Sequence, residues 1–121
     1  PAGITAGSPS AERELREGFM RLVDADVDIV LGTDAGAVPD HFFGYSGHRE
    51  LEIYVRLGMT PMQAIQSATT VSAEMLGWST DVGALSPGHH ADMIAVPSDP
   101  LSDISVLERV SHVIKGGELV R

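Results

Sequence analysis

The chain has 121 residues, 43% of them hydrophobic and 21% charged, with a net charge of −9 and no cysteine. This suits one globular core and excludes disulfides, thiolate metal sites and Cys nucleophiles. The acidic balance argues against a nucleic-acid partner, and no apolar run approaches the ~20 residues that span a bilayer, so no membrane partner is expected.

The opening Pro1 to Ser10 is rich in Gly, Pro and Ser and reads as a loop. Leu15, Phe19, Leu22 and Val23 then recur at helical spacing, predicting a helix from about Ser10 to Ala25, with Ser8 as N-cap and Pro9 in the first turn. The acidic turn DADVD leads into VDIVLGT, Val27 to Thr33, a run whose apolar residues predict a fully buried strand of the parallel-sheet type. Asp34 is released where that strand stops. In sheets of this kind the carboxyl ends of the strands face the ligand crevice or barrel mouth. Asp34 is therefore placed to bind a metal or move a proton; the competing reading is that it caps the next loop through backbone N–H groups.

A long loop runs from Asp34 to about Gly47 and carries His41, Phe42, Phe43 and Tyr45. The aromatics either wall a pocket or pack over a rim. A helix is predicted from about Gly47 to Leu57, with Leu51, Tyr54 and Val55 on its apolar face and Gly58 ending it. His48, at its start, reads as a structural residue bonded to the preceding loop. Thr60, Pro61 and Gln63 have the pattern of an N-cap, an N1 proline and a capping-box partner. One helix should follow to Gly77, burying Ile65, Ala68, Ser72, Met75 and Leu76, with Ala64, Ser67 and Ala68 small enough for close packing. Met59, Met62, Met75 and Met93 all fall at core spacings.

From Gly83 the pattern changes to strands: a short one, a Ser-Pro-Gly turn, and an apolar one from Ala91 to Val96. Asp103 to Val110 suggests a short helix or irregular turn, and HVIKGGELVR a hairpin with Gly116-Gly117 in a primed turn. His89 and His90 point to opposite sides of an extended chain and make a poor chelate. Asp92 is expected to stabilise a turn through backbone bonds. The boundary falls near Asp81, separating an α/β part, residues 1–82, from a small β part, residues 83–121.

The buried-type strand needs a partner on each side, and the residues before Gly83 offer none. Each unpaired buried backbone group costs ~1–3 kcal/mol. The sequence therefore reads as the closing piece of a larger fold, beginning at Pro1 as a fragment or after removal of an initiator.

Four blocks occur in order: GTDAG after an apolar strand, HRELEIYVRLGMTPMQAIQSATTVSAEMLG, GALSPGHHADMIAV, and a DPLSDI turn with a terminal VIKGGELVR. Together they resemble the C-terminal third of the metal-dependent amidohydrolase superfamily, in its imidazolonepropionase-like and Xaa-Pro dipeptidase-like branch. The resemblance covers roughly Gly18 to Arg121. It implies an α/β fold, the C-terminal portion of a (β/α)8 barrel followed by part of a small β-sandwich, with one or two divalent metals, zinc being the expected one, at the barrel mouth. Asp34 would match the strand-eight aspartate, which in the family binds metal and shuttles a proton during hydrolysis of a C–N bond. His41 would match a substrate-contacting His, although VPDHFFGYSGH is not the simpler Pro-His-Gly; the alternative is an exposed loop His.

The resemblance also implies a small-molecule or dipeptide substrate and a homo-oligomeric parent. A cytoplasmic location fits the absence of cysteine. The family's other ligands, an His-x-His pair, a carboxylate or modified Lys and two further His, have no counterpart in this chain. One carboxylate does not hold a catalytic zinc, which takes three protein ligands and a water. The chain alone is thus expected to be inactive; the alternative function is a non-catalytic subunit completing a barrel supplied by another chain.

Overall fold

The computed structural model describes residues 9–37 and 44–121. In chain order these form α1 (Pro9–Asp24), α2 (Tyr45–Leu57), α3 (Pro61–Ser67), α4 (Thr70–Met75), β1 (Met93–Ala95), a 3₁₀ turn (Ile104–Glu108), β2 (His112–Lys115) and β3 (Glu118–Leu119). The strands make one antiparallel sheet in the order β1-β2-β3, with Met93 opposite Ile114 and Ile114 opposite Leu119.

The locally encoded elements form as the sequence predicts. Gly58 closes α2, its N–H donating to the carbonyls of Tyr54 and Val55. The capping box at α3 is complete: Thr60 Oγ1 accepts from the Gln63 amide at 3.2 Å, and Gln63 Oε1 accepts from the Thr60 amide at 2.9 Å. Gly116 and Gly117 turn the β2–β3 hairpin at φ 57° and 84°, the positive values that a type I′ turn requires. Asp103 starts the 3₁₀ turn by accepting from the Ser105 amide and hydroxyl, which hold its carboxyl below the usual carboxylate range. The predicted N-cap Ser8 lies outside the described residues.

The core forms where the 3₁₀ turn packs on α2. Leu51, Tyr54, Met59, Ala64, Ile104 and Leu107 make one buried cluster, bordered by Phe19, Ile29 and Leu31. It therefore draws on residues from both sides of the sequence's change in texture.

Several expectations are corrected. Residues 27–33 form no strand, and the run is exposed or half-buried, not fully buried. The reason is the missing partners: among the described residues no strand lies beside it, and the sheet that does form is antiparallel and lies elsewhere. The short strand expected at Gly83 is a series of bends and turns, and the apolar strand beyond it shortens to Met93–Ala95.

The helix expected from Pro61 to Gly77 is two helices. The break lies at Ala68-Thr69, where Thr69 leaves the helical region at φ −129° and ψ −93°. Three hydroxyls compete for helix carbonyls there: Ser67 Oγ donates to Ala64 O, Thr69 Oγ1 to Ile65 O and Ser72 Oγ to Ser67 O. After the break only Ala73 of α4 is buried. Met75 and Leu76, expected inside, are 61% and 52% exposed, and Met62 is also exposed. Leu76 and the exposed Trp78 border an apolar cleft of about 740 Å³ lined by α3, α4 and the sheet, with Met93 and Val113 among its sheet residues.

Candidate active-site segment

Asp34 is placed by the extended run that precedes it, and that run is tied down from two helices. On one side, the Leu31 amide donates to the Ser67 carbonyl at 3.1 Å. In an uninterrupted helix this carbonyl would accept from the amide four residues later. The break between α3 and α4 thus makes Ser67 available to Leu31, three residues ahead of Asp34. Ala64 and Ser67, fully buried small residues, let the run approach α3 closely.

On the other side stands Tyr54. Its ring packs in the core against Phe19, with centroids 5.4 Å apart. Its hydroxyl lies 2.7 Å from Glu50 Oε1 and 3.3 Å from the Val30 carbonyl. One hydroxyl hydrogen serves two acceptors, with the carboxylate the nearer. Burial, reinforced by hydrogen bonding and charge from Glu50, pushes the phenol well above its ordinary range, so it remains a donor.

Asp34 itself adopts φ 50°, the left-handed region that few residues other than Gly enter and in which Asp is enriched. It is exposed. The turn after it is closed without its carboxylate: the Ala35 amide donates to Thr33 Oγ1 at 3.2 Å, and the Ala37 amide to the Asp34 main-chain carbonyl at 2.9 Å. Among the described residues, the loop-capping work that the sequence allowed for Asp34 is thus done by Thr33 and by backbone.

None of the remaining candidates among the described residues has a hydrogen bond to Asp34, and the others lie outside them. His41, Phe42 and Phe43 lie outside them. Tyr45 is exposed at the start of α2, and His48 is half-buried in its first turn. His89 donates through Nε2 to the Ser79 carbonyl at 3.0 Å, and the His90 main-chain amide bonds Asp81. Asp92 does what the sequence assigns to it: Oδ1 accepts from the Gly116 amide at 2.7 Å, and Oδ2 pairs with Lys115. The Lys115 bond, then the Gly116 bond, holds this carboxyl below its ordinary value.

No group of three His, Cys, Asp or Glu among the described residues converges to hold a metal ion. A lone carboxylate does not meet a zinc ion's demand for three protein ligands. The described residues therefore do not make a complete metal centre.

The amidohydrolase family profile matches residues 4–120. The chain belongs to the amidohydrolase family. Ochratoxinase from Aspergillus niger is 37% identical over 108 residues, covering 85% of this chain and 21% of that protein. Imidazolonepropionase from Geobacillus kaustophilus is 34% identical over 108 residues, covering 83% of this chain and 24% of that protein. Among solved structures, a Xaa-Pro dipeptidase with methionine bound in its active site superimposes with a TM-score of 0.80 at 40% identity, covering 90% of this chain and 26% of that one. The chain spans about a fifth to a quarter of the length of these relatives. The likeness to imidazolonepropionases and Xaa-Pro dipeptidases inferred from the sequence blocks is thus found directly, and the α/β class agrees with the structural neighbours. No described helix is long and apolar enough to cross a membrane.

Sequence reasoning missed the role of Tyr54. Its place on the apolar face of α2 was legible, but its hydroxyl contact to a main-chain carbonyl 24 residues away was not. The Tyr at i+4 from Glu50 was the available signal, since that spacing brings the two side chains together on a helix.

Proposed function

We propose that this chain is the closing segment of a hydrolase that cleaves C–N bonds, amide or cyclic amide, in a small or dipeptide-like substrate. Residues 1–82 would supply the last strand and flanking helices of the barrel, and residues 83–121 the C-terminal share of a β-sandwich. Asp34 would be its catalytic carboxylate and one ligand of a divalent metal, zinc being the best candidate, in a centre completed by residues outside this chain. His41 would contact substrate. The parent would be a homo-oligomer located in the cytoplasm.

The observation that carries this reading is the state of Asp34: exposed, held in a left-handed conformation and, among the described residues, not used by the turn that follows it. A carboxylate held in this way accepts a proton or contacts a cation without first giving up a structural bond. The exposed flank of residues 27–33 supports the same reading, because a run so apolar is suited to a sheet with neighbours on both sides. No reaction step belongs to the chain alone, since its described residues do not complete a metal site.

The test is hydrolysis by the protein at its natural length of a panel of Xaa-Pro dipeptides, N-acyl amino acids and cyclic amides. Asp34→Asn keeps the shape and removes the proton acceptor, and should lower kcat by roughly 10²–10⁴-fold with the circular dichroism spectrum unchanged. Retention of full activity by this variant would remove Asp34 from the mechanism.

A further inference from the structure

A cleft of about 300 Å³ lies between α1 and α2, lined by Pro9, Glu12, Arg13, Arg16, Arg56 and Leu57. Three of the chain's eight basic residues converge there, in a protein with seventeen acidic ones. All three arginines are exposed. The ion pairs among the described residues, Arg49 with Glu52 and Lys115 with Asp92, involve none of them. Glu12 is the single carboxylate in the lining, so the cleft carries a local excess of positive charge against a net charge of −9.

Helix electrostatics explains only part of this cluster. Arg56 sits in the last turn of α2, where the dipole favours a cation. Arg13 and Arg16 lie beyond the first turn of α1, where the dipole gives a cation no support. Holding them beside Arg56 brings three like charges together, with Glu12 as the one carboxylate in the lining to offset the repulsion. A bound anion removes that repulsion, and guanidinium forks match the oxygens of phosphate and carboxylate groups in pairs.

We propose that the α1–α2 cleft is a binding site for a small multivalent oxyanion of the phosphate or polycarboxylate class. The cleft is at the small end of ligand sites, which run from about 300 Å³ upward, and suits an anion of a few heavy atoms more than a nucleotide. The site lies on the α1–α2 pair and is independent of any role for Asp34.

The test is calorimetric titration of inorganic phosphate, and separately of citrate, into the protein at its natural length at low ionic strength, with sodium chloride at matched ionic strength as control. Saturable one-site binding is expected; the tighter of the two anions identifies the class. Arg16→Ala and Arg56→Ala should each weaken it at least tenfold, and Arg56→Lys, which keeps charge but loses the fork, by a smaller factor. Arg49→Ala, on the same helix but paired with Glu52, should leave it unchanged. Where an alanine variant fails to fold, Arg16→Lys serves in its place and should still weaken binding. Heats no larger than the chloride control, or equal affinity in the Arg16 and Arg56 variants, overturn the proposal. So does a change in sedimenting mass on Arg56→Ala with anion affinity intact, which would make the cleft a contact between copies.

Discussion

Replacing Tyr54 by Phe removes one oxygen atom from the contact that joins α2 to the run carrying Asp34. The ring is 9% exposed and its stacking on Phe19 survives the change, so little apolar burial is lost. What disappears is a hydrogen bond to Glu50 at 2.7 Å and a weaker share in the Val30 carbonyl at 3.3 Å. A bond to a charged acceptor contributes about 1.5–3 kcal/mol when the acceptor cannot rehydrate, and a neutral one about 0.5–1.5 kcal/mol. Glu50 is only half-buried and regains water, which brings the net loss to about 1 kcal/mol. Tyr54→Ala adds loss of the ring and should cost about 3–5 kcal/mol. Urea unfolding of the protein at its natural length measures both, with the slope against denaturant unchanged in the Phe variant. Amide exchange should meanwhile accelerate at Leu31, the next amide along the run, more than at Leu51 in the centre of α2. Uniform acceleration, or a Phe variant as unstable as the Ala variant, would refute the assignment of the hydroxyl to this segment.

Acid should loosen the sheet through Asp92. Its folded-state pKa lies below the unfolded value of about 3.9, so its contribution is fully present above that pH and is lost as pH falls through the folded value. Asp92→Asn should flatten the acid limb of a stability–pH curve, and an unchanged limb would show that Lys115 and Gly116 are held by other means. Gly83→Ala should destabilise by more than about 1 kcal/mol: at φ 90° a side chain is strained, and the new Cβ would lie 2.8 Å from Ala73 Cβ and 2.9 Å from the Thr69 carbonyl. A thermal midpoint equal to that of the parent would contradict this geometry.

What the sequence reveals about this fold depends on how local the information is. The helix starts and stops at Thr60 and Gly58 and the Gly116-Gly117 turn are encoded within a few residues, whereas the contacts of Asp92 reach Lys115 and Gly116 across the sheet. The break at Thr69 escapes a periodicity argument, since the apolar spacing runs on to Leu76 while the hydroxyls of Ser67, Thr69 and Ser72 redirect the carbonyls beneath it. Residues 27–33 are the opposite case. Their composition describes a buried strand, and the described chain contains nothing to bury it. The chain spans 26% of the solved Xaa-Pro dipeptidase it resembles. The ties from Ser67 and Tyr54 to the run ahead of Asp34 escape the sequence, because each depends on a contact distant in sequence.

Metal content after exhaustive exchange into metal-free buffer tests the central claim most directly. Zinc should remain at one or two ions per molecule in the protein at its natural length, fall on Asp34→Ala, and be absent from the isolated 121-residue chain. Stoichiometric zinc on the isolated chain would contradict the claim that Asp34 is one ligand of a centre completed elsewhere. Undiminished zinc in the Asp34 variant would contradict its place in that centre at all.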